Sequence, residues 1–417
     1  MKDRTTAYSD DLTMRQTLAT FPANVCILLF FTLLTRFSYF MAWPFLSIIL
    51  TRTYQLSPLT IGGVMSGCAL ISVVLGIYGG SLSDRMGRKK LLILGCLLAI
   101  IGYASIAFSN SVLFFACGLL LTGISFSWTD APSRALMSDL LQDQKRRELA
   151  LQIRYLMVNI AAVSGPLIGI IFGLNSQKST FLITALSYVP FLLFSLLLIP
   201  TGKTQSNSSL KDQPDKDLGS WLVTRIILKD RIYIIVLMCS ILCYLVYAQI
   251  ESIVPQYLLA LDAAHTVDLV TVILIVNAIT VLVAQLYLVP LLTNISPEQR
   301  ITIGALIFAS SQLLFWFNET TSTLWWGGCT VIFSIAEAIL LPNLSILLDR
   351  LAPERYRGAY LGASTLVVLG LSLGPLVGGA LLEWWGKGVF LFMALLCLYI
   401  AALMLMNKKN IMIRLDE

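Results

Sequence analysis

Residues 79–90 read Gly-Gly-Ser-Leu-Ser-Asp-Arg-Met-Gly-Arg-Lys-Lys, a charged stretch set between apolar runs at 61–82 and 91–109. A helix needs roughly 20 mostly apolar residues to cross about 30 Å of hydrocarbon, and both runs reach that scale. The stretch therefore reads as a tight polar turn joining two membrane helices. Gly87 permits the turn, and Gly80 offers no side chain, so another helix can approach the end of the helix before it.

The same criterion carried along the 417 residues finds little besides membrane helices. The chain is 57% hydrophobic and 12% charged, about half the charge of an ordinary soluble domain. Twelve runs emerge, near 25–50, 61–82, 91–109, 112–138, 150–174, 180–200, 231–255, 267–293, 301–318, 324–348, 359–382 and 388–406. The first is too long for the apolar core of a cleavable signal peptide and is read as a membrane helix. All eight cysteines lie within or at the ends of these runs, where they behave as small hydrophobes, and no disulfide framework is implied.

Placing both termini on the cytoplasmic side puts 23 of the 29 basic residues in the head, tail and inner loops. Only Arg52, Lys178 and Lys387 then face outward, and Arg36, Arg134 and Arg154 lie inside runs. This asymmetry is the positive-inside pattern. The net charge of +6 thus reports orientation and contact with membrane lipids, and no nucleic-acid partner is expected.

The one long hydrophilic stretch, 201–230, divides the chain into a six-helix bundle at 1–200, a cytoplasmic linker and a second bundle at 231–417. The end of the linker, with Trp221, Leu222, Ile226 and Ile227 among Arg225 and Lys229, fits either an amphipathic surface helix or an extension of the seventh run. An internal repeat supports the division. Gly165, Pro166, Leu167 and Gly169 recur 209 residues later as Gly374, Pro375, Leu376 and Gly378, and the same offset pairs Gly95 with Gly304 and Arg146 with Arg355. It sets Thr293 opposite Asp84, so the charged turn is not repeated.

Gly80, Leu82, Asp84, Arg85, Gly87, Arg88 and Lys89, at these spacings, resemble the loop between helices 2 and 3 of the major facilitator superfamily of secondary transporters. The resemblance spans the chain and is nearest to the bacterial 12-helix drug:proton antiporters. It implies an all-α membrane protein of 12 transmembrane helices in two pseudo-symmetric six-helix bundles. It also implies a monomer in the bacterial cytoplasmic membrane, with a small-molecule substrate bound between the bundles. By the same resemblance, Asp84 and Arg88 with Asp139 latch the outward-open state. Gly165, Pro166 and Gly169 match the fifth-helix motif of proton-coupled antiporters, where proline bends the helix and glycine permits close packing.

Charged residues inside apolar runs cost about 2.5 to 3.5 kcal/mol each at a helix centre, so they are expected on a substrate or ion pathway. They are Arg36, Asp130, Arg134, Arg154, Glu251 and Glu337. Asp130 and Arg134 share a helical face and can neutralise each other; Asp130 is also read as a proton-coupling residue, with Arg134 as its partner in a relay to Glu337. Glu337 stands among apolar neighbours with no basic residue within 12 positions, a setting suited to a proton carrier. The resemblance gives an acid at a similar place in helix 10 that role. Glu251, ahead of Pro255, is read as interfacial or functional, and Arg36 requires a partner: Asp130, Glu337 or an anionic substrate. Many drug antiporters carry an Arg four residues before a Gly in helix 4, whereas here that position is Leu119. Tyr39, Phe40, Trp43, Trp128 and Tyr244 are candidates to line a cavity for an amphipathic substrate.

An intramembrane enzyme is disfavoured. His265 is the only histidine and lies in a loop, which excludes paired-His metal sites, and no Walker loop is present. The reading is a proton-coupled antiporter that exports small amphipathic, drug-like compounds by alternating access, without a cofactor. Sodium stays open as the coupling ion. The alternative is a dedicated metabolite or siderophore carrier, exporter or symporter, in which Arg36 holds an anion.

Overall fold

The computed structural model describes residues 21–141, 143–171, 177–198, 220–261, 265–288, 291–292 and 295–416. These are helical almost throughout. Helix α1, Ala23–Ala42, passes through the 3₁₀ turn Trp43–Phe45 into Leu46–Tyr54. It is followed by α2, Pro58–Met86; α3, Arg88–Ala107; α4, Val112–Leu140; α5, Gln144–Ile171; and α6, Gln177–Leu197. A short helix, Ser220–Lys229, precedes α7, Arg231–Tyr247, which continues through Gln249–Ser252 and Val254–Leu261. Next come α8, Thr266–Val283, ending in the π turn Ala284–Leu288; α9, Pro297–Phe317; and α10, Thr323–Arg350. Arg357–Ser364 leads into α11, Val368–Trp385, and α12, Gly388–Asp416, completes the chain.

Eleven of these rods are long and apolar enough to cross a membrane. The other, α5, has the length but carries Lys145, Arg146, Arg147, Glu148 and Arg154 in its first three turns. Gly87, at φ 89°, makes the turn between α2 and α3, a backbone conformation that glycine adopts without steric cost. We call the side of the molecule bearing this turn the loop end and the opposite side the far end.

Each of the twelve apolar runs holds a helix among the described residues, and the differences lie at breaks and edges. Pro44 and Pro255 accompany interruptions in α1 and α7, because proline has no N–H to give its helix. Helices α4, α10 and α12 outlast their runs, since polar residues beyond the hydrocarbon still propagate a helix. The Ser220–Lys229 helix is set off from α7 by Asp230, whose carboxylate caps α7 by accepting from Tyr233 N at 3.1 Å. Ile227 on that helix is buried among side chains of the second half.

Buried apolar side chains form two large clusters, one from 21–194 and the other from 227–411 with Phe45 and Ile48. The repeat has a packing basis. A Cβ on Gly165 would lie 2.9 Å from Phe37 O, and one on Gly374 would lie 2.4 Å from Ala248 Cβ. Thus α5 is pressed on α1 as α11 is pressed on α7, and only a missing side chain allows either approach.

The two sets of helices meet tightly at the far end. A Cβ on Gly62 of α2 would fall 2.2 Å from Pro375 O of α11, and one on Gly379 of α11 would fall 2.3 Å from Pro58 O. Leu376 N donates to Ser66 Oγ and Leu59 N to a Glu383 carboxylate oxygen, each at 3.0 Å. Gly62→Val is expected to cost about 1 to 3 kcal/mol of this closed arrangement, because backbone atoms have no rotamer by which to yield. Hydrogen exchange should rise in 58–66 and 375–383 and stay unchanged at the loop end of α3; equal exchange in both proteins would contradict the interface.

Candidate functional site

Asp130 projects from α4 into the space between α1 and α5. Its carboxylate pairs with Arg36 of α1 and with Arg154 of α5 through the same oxygen, and with Arg134 one turn along α4 at 3.1 Å through the other. Arg36, Arg154 and Asp130 are 13–14% exposed, whereas Arg134 is 52% exposed. The Arg36 guanidinium also lies 3.9 Å from the centre of the Phe126 ring, a cation–π contact one turn before Asp130. Of the three partners open to Arg36, the structure selects Asp130. Arg154, which stands among the intramembrane charges but outside the residues chosen from sequence as the site, is an equal member of the cluster.

A second group belongs to α7, α8 and α10. Asn277 of α8 donates through Nδ2 to Glu337 at 2.7 Å and to Ser334 Oγ at 3.0 Å. Glu337 opens on a cavity of about 300 Å³ lined by Tyr155 and Asn159 of α5, Tyr244 of α7, Gln285 after α8, and Ser345 of α10. Tyr155 donates to the Gln285 side-chain oxygen at 2.8 Å, joining the two halves across this cavity. Glu251 lies in the broken part of α7 and is half-buried. Asn277 escapes sequence reading because a neutral amide in an apolar run carries no charge to draw attention; its position mid-run is the available signal.

The predicted aromatics divide. Tyr244 lines the cavity. Tyr39 stacks on Trp43 at 5.1 Å and lies 6.1 Å from Phe126, so it adjoins the arginine cluster. Trp128 instead donates to Leu75 O at 3.3 Å, tying α4 to α2. Phe40 packs its Cβ toward Gly165. Leu119 is buried in the first core.

At the loop end Arg88 pairs with Asp139 and donates to Ala135 O at 3.1 Å, fastening α3 to α4. Lys89 reaches Leu196 O of α6 at 3.0 Å. The side chains of Gly80, Asp84, Arg85 and Gly169 lie outside the described residues. Gly165 and Pro166 are buried where α5 meets α1.

A polytopic helical protein with a polar cavity between two sets of helices has the architecture of a membrane transporter. The chain belongs to the Major Facilitator Superfamily, whose family profile matches residues 28–372 and 265–410. It is 29% identical over 373 residues to the uncharacterized MFS-type transporter YqjV of Bacillus subtilis, covering 87% of this chain and 88% of that protein. It is 26% identical to the multidrug resistance protein MdtH of Cronobacter sakazakii, covering 85% and 86%. It is also 25% identical to a Na(+), Li(+), K(+)/H(+) antiporter of Planococcus maritimus, covering 84% and 87%. Among solved structures, the nucleoside transporter NupG superposes with a TM-score of 0.74 at 17% identity, covering 93% of this chain and 100% of that one.

Proposed function

We propose that the protein is a proton-coupled antiporter that exports small amphipathic compounds by alternating access, with Glu337 as the proton carrier and both termini in the cytoplasm. The observation that carries this reading is the setting of Glu337. It is an acid on the wall of the cavity between the halves, and among the described residues it is held by a neutral amide and joined to no cation. An acid so placed changes charge where substrate would bind, so protonation and occupancy can bias the same equilibrium between states. The far-end contacts between α2 and α11 fit one of two such states, and the Arg88–Asp139 pair fastens the loop that would latch the other. Relatives named as a multidrug resistance protein and as a cation/H(+) antiporter agree with this class of activity.

The test is transport in proteoliposomes with an imposed pH gradient, an internal pH-sensitive dye, and a series of amphipathic compounds added in turn. Antiport predicts proton movement opposite to substrate, started by substrate addition. Co-accumulation of substrate and protons, or substrate movement indifferent to the gradient, would overturn it.

A further inference from the structure

Three guanidinium groups converge on one carboxylate within the membrane-spanning part of α1, α4 and α5. Counting Arg36, Arg134 and Arg154 against Asp130 leaves the cluster at +2. The donor balance is equally uneven. Three guanidiniums bring about fifteen N–H donors, and one carboxylate offers about four acceptor sites. One consequence is visible, for Arg154 Nε is buried with no hydrogen-bond partner among the described residues. A buried donor on a charged group is costly to leave unmade.

The opposite wall does not make up the deficit. Glu251 and Glu337 are the acids within the α7 and α10 part of the site, and among the described residues neither forms an ion pair with any of the three arginines. Glu337 is committed to Asn277, and Tyr39 packs on Trp43 and Phe126. The cluster also has an open side and an apolar wall. Arg134 is half-exposed on the α4 face that carries Asp130, and Phe126, Tyr39 and Trp43 form a run of ring contacts beginning at Arg36.

We infer that Arg36, Arg134 and Arg154 form a seat for the anionic group of the substrate, a carboxylate, sulfonate or phosphate carried on an aromatic body. Asp130 is the internal counter-ion that holds the three guanidiniums together. The anion takes donors that Asp130 leaves over, among them Arg134 and Arg154 Nε, while its ring lies along Phe126 and Tyr39. Planar oxyanions suit this arrangement because guanidinium presents paired donors at matching spacing. This inference rests on reading the cavity between the halves as the substrate path.

Equilibrium binding to the full-length protein in lipid nanodiscs tests it, with 2-naphthoate, naphthalene-2-sulfonate and 2-naphthyl phosphate as probes and 2-naphthamide as the uncharged control. At least one anion is expected to bind roughly tenfold or more tightly than the amide. Arg154→Gln, which lowers the cluster charge to +1 and removes the unpartnered donor, should erase that preference, and Arg154→Lys should restore part of it. Arg134→Gln, at the half-exposed edge, provides a second variant should the first fold poorly. Equal binding of amide and anions, no binding by any probe, or an undiminished preference in both Gln variants would overturn the seat. The assay uses no gradient, so it separates the two readings. Anion preference without antiport removes the export mechanism and leaves the seat, and antiport with indifference to charge does the reverse.

Discussion

Asp130→Asn is expected to be the most damaging single substitution in the transmembrane region, costing about 3 to 5 kcal/mol of stability. The carboxylate is the shared partner of three arginines, two of them as enclosed as itself at 13–14% exposure. Removing it raises the local charge from +2 to +3 and leaves Arg36 and Arg154 without the group they point at. Asparagine keeps the size and one acceptor, so the loss is electrostatic and not one of packing. The sign of the companion variant differs. Arg154→Gln alone should stay within about 1 kcal/mol of the wild type, because a lost charged hydrogen bond is offset by relief of like-charge repulsion and of an unpaired donor. Combined with Asp130→Asn it should recover a large part of the damage, since the charge returns to +2. Thermal unfolding of the four proteins in nanodiscs closes the cycle. An Asp130→Asn protein as stable as the wild type, or a double variant no better than Asp130→Asn, would mean that the four groups are not energetically one cluster.

How much of this was legible in the sequence differs by kind of information. Helix existence is written in the length of apolar runs, which bilayer thickness dictates locally, and Gly87 and the charges around it mark a turn without reference to anything distant. Pairing is another matter. Spacing reveals Arg134 as a partner of Asp130 because they share one helix face, but Arg36 and Arg154 arrive from positions 94 and 24 residues away. Only the packing of α1 and α5 against α4 brings them in. Glu251 shows why counting residues is a poor measure of depth: α7 is broken at Ala248 and again at Ile253, so distance along the chain stops tracking distance along the rod. The Gly-Pro segment of α5 reads, through its resemblance, as an antiporter mark. In the structure Gly165 has a packing duty that its repeat Gly374 also performs, a physical reason for the glycine that holds whatever the coupling.

The repeat also clarifies why the two acids behave differently. The offset of 209 that superposes Gly165 on Gly374 places Glu337 opposite Trp128, two residues from Asp130 on α4. The two halves therefore carry an acid at nearly the same level of the same helix. In the first half that acid is surrounded by guanidinium, and in the second it meets an amide. Asp130 is thus tied into an ion-pair network that spans α1, α4 and α5, whereas Glu337 is held by a single neutral group. On the proposed reading the two acids divide the labour, Asp130 gathering the arginines and Glu337 carrying the proton.

Glu337→Gln is accordingly expected to reduce substrate-evoked proton movement in proteoliposomes to the level of protein-free vesicles while leaving the fold intact. Glutamine is nearly isosteric and its carbonyl oxygen can still accept from Asn277 Nδ2, so unfolding should shift by less than about 1 kcal/mol. Binding of probe at equilibrium should change no more than a few fold, because the seat proposed for the anion lies on the other half. Substrate exchange without a gradient should persist, since the rocking of two halves needs no proton when the same compound occupies both directions. That separation of coupling from movement is the decisive outcome. A Glu337→Gln protein that still expels protons on substrate addition would pass the carrier role to Glu251, the half-buried acid in the broken part of α7, and Glu251→Gln would then have to show the loss. If neither variant affects proton movement while Arg154→Gln abolishes transport, the ion is not carried by these acids, and charge compensation by an anionic substrate becomes the source of the driving force.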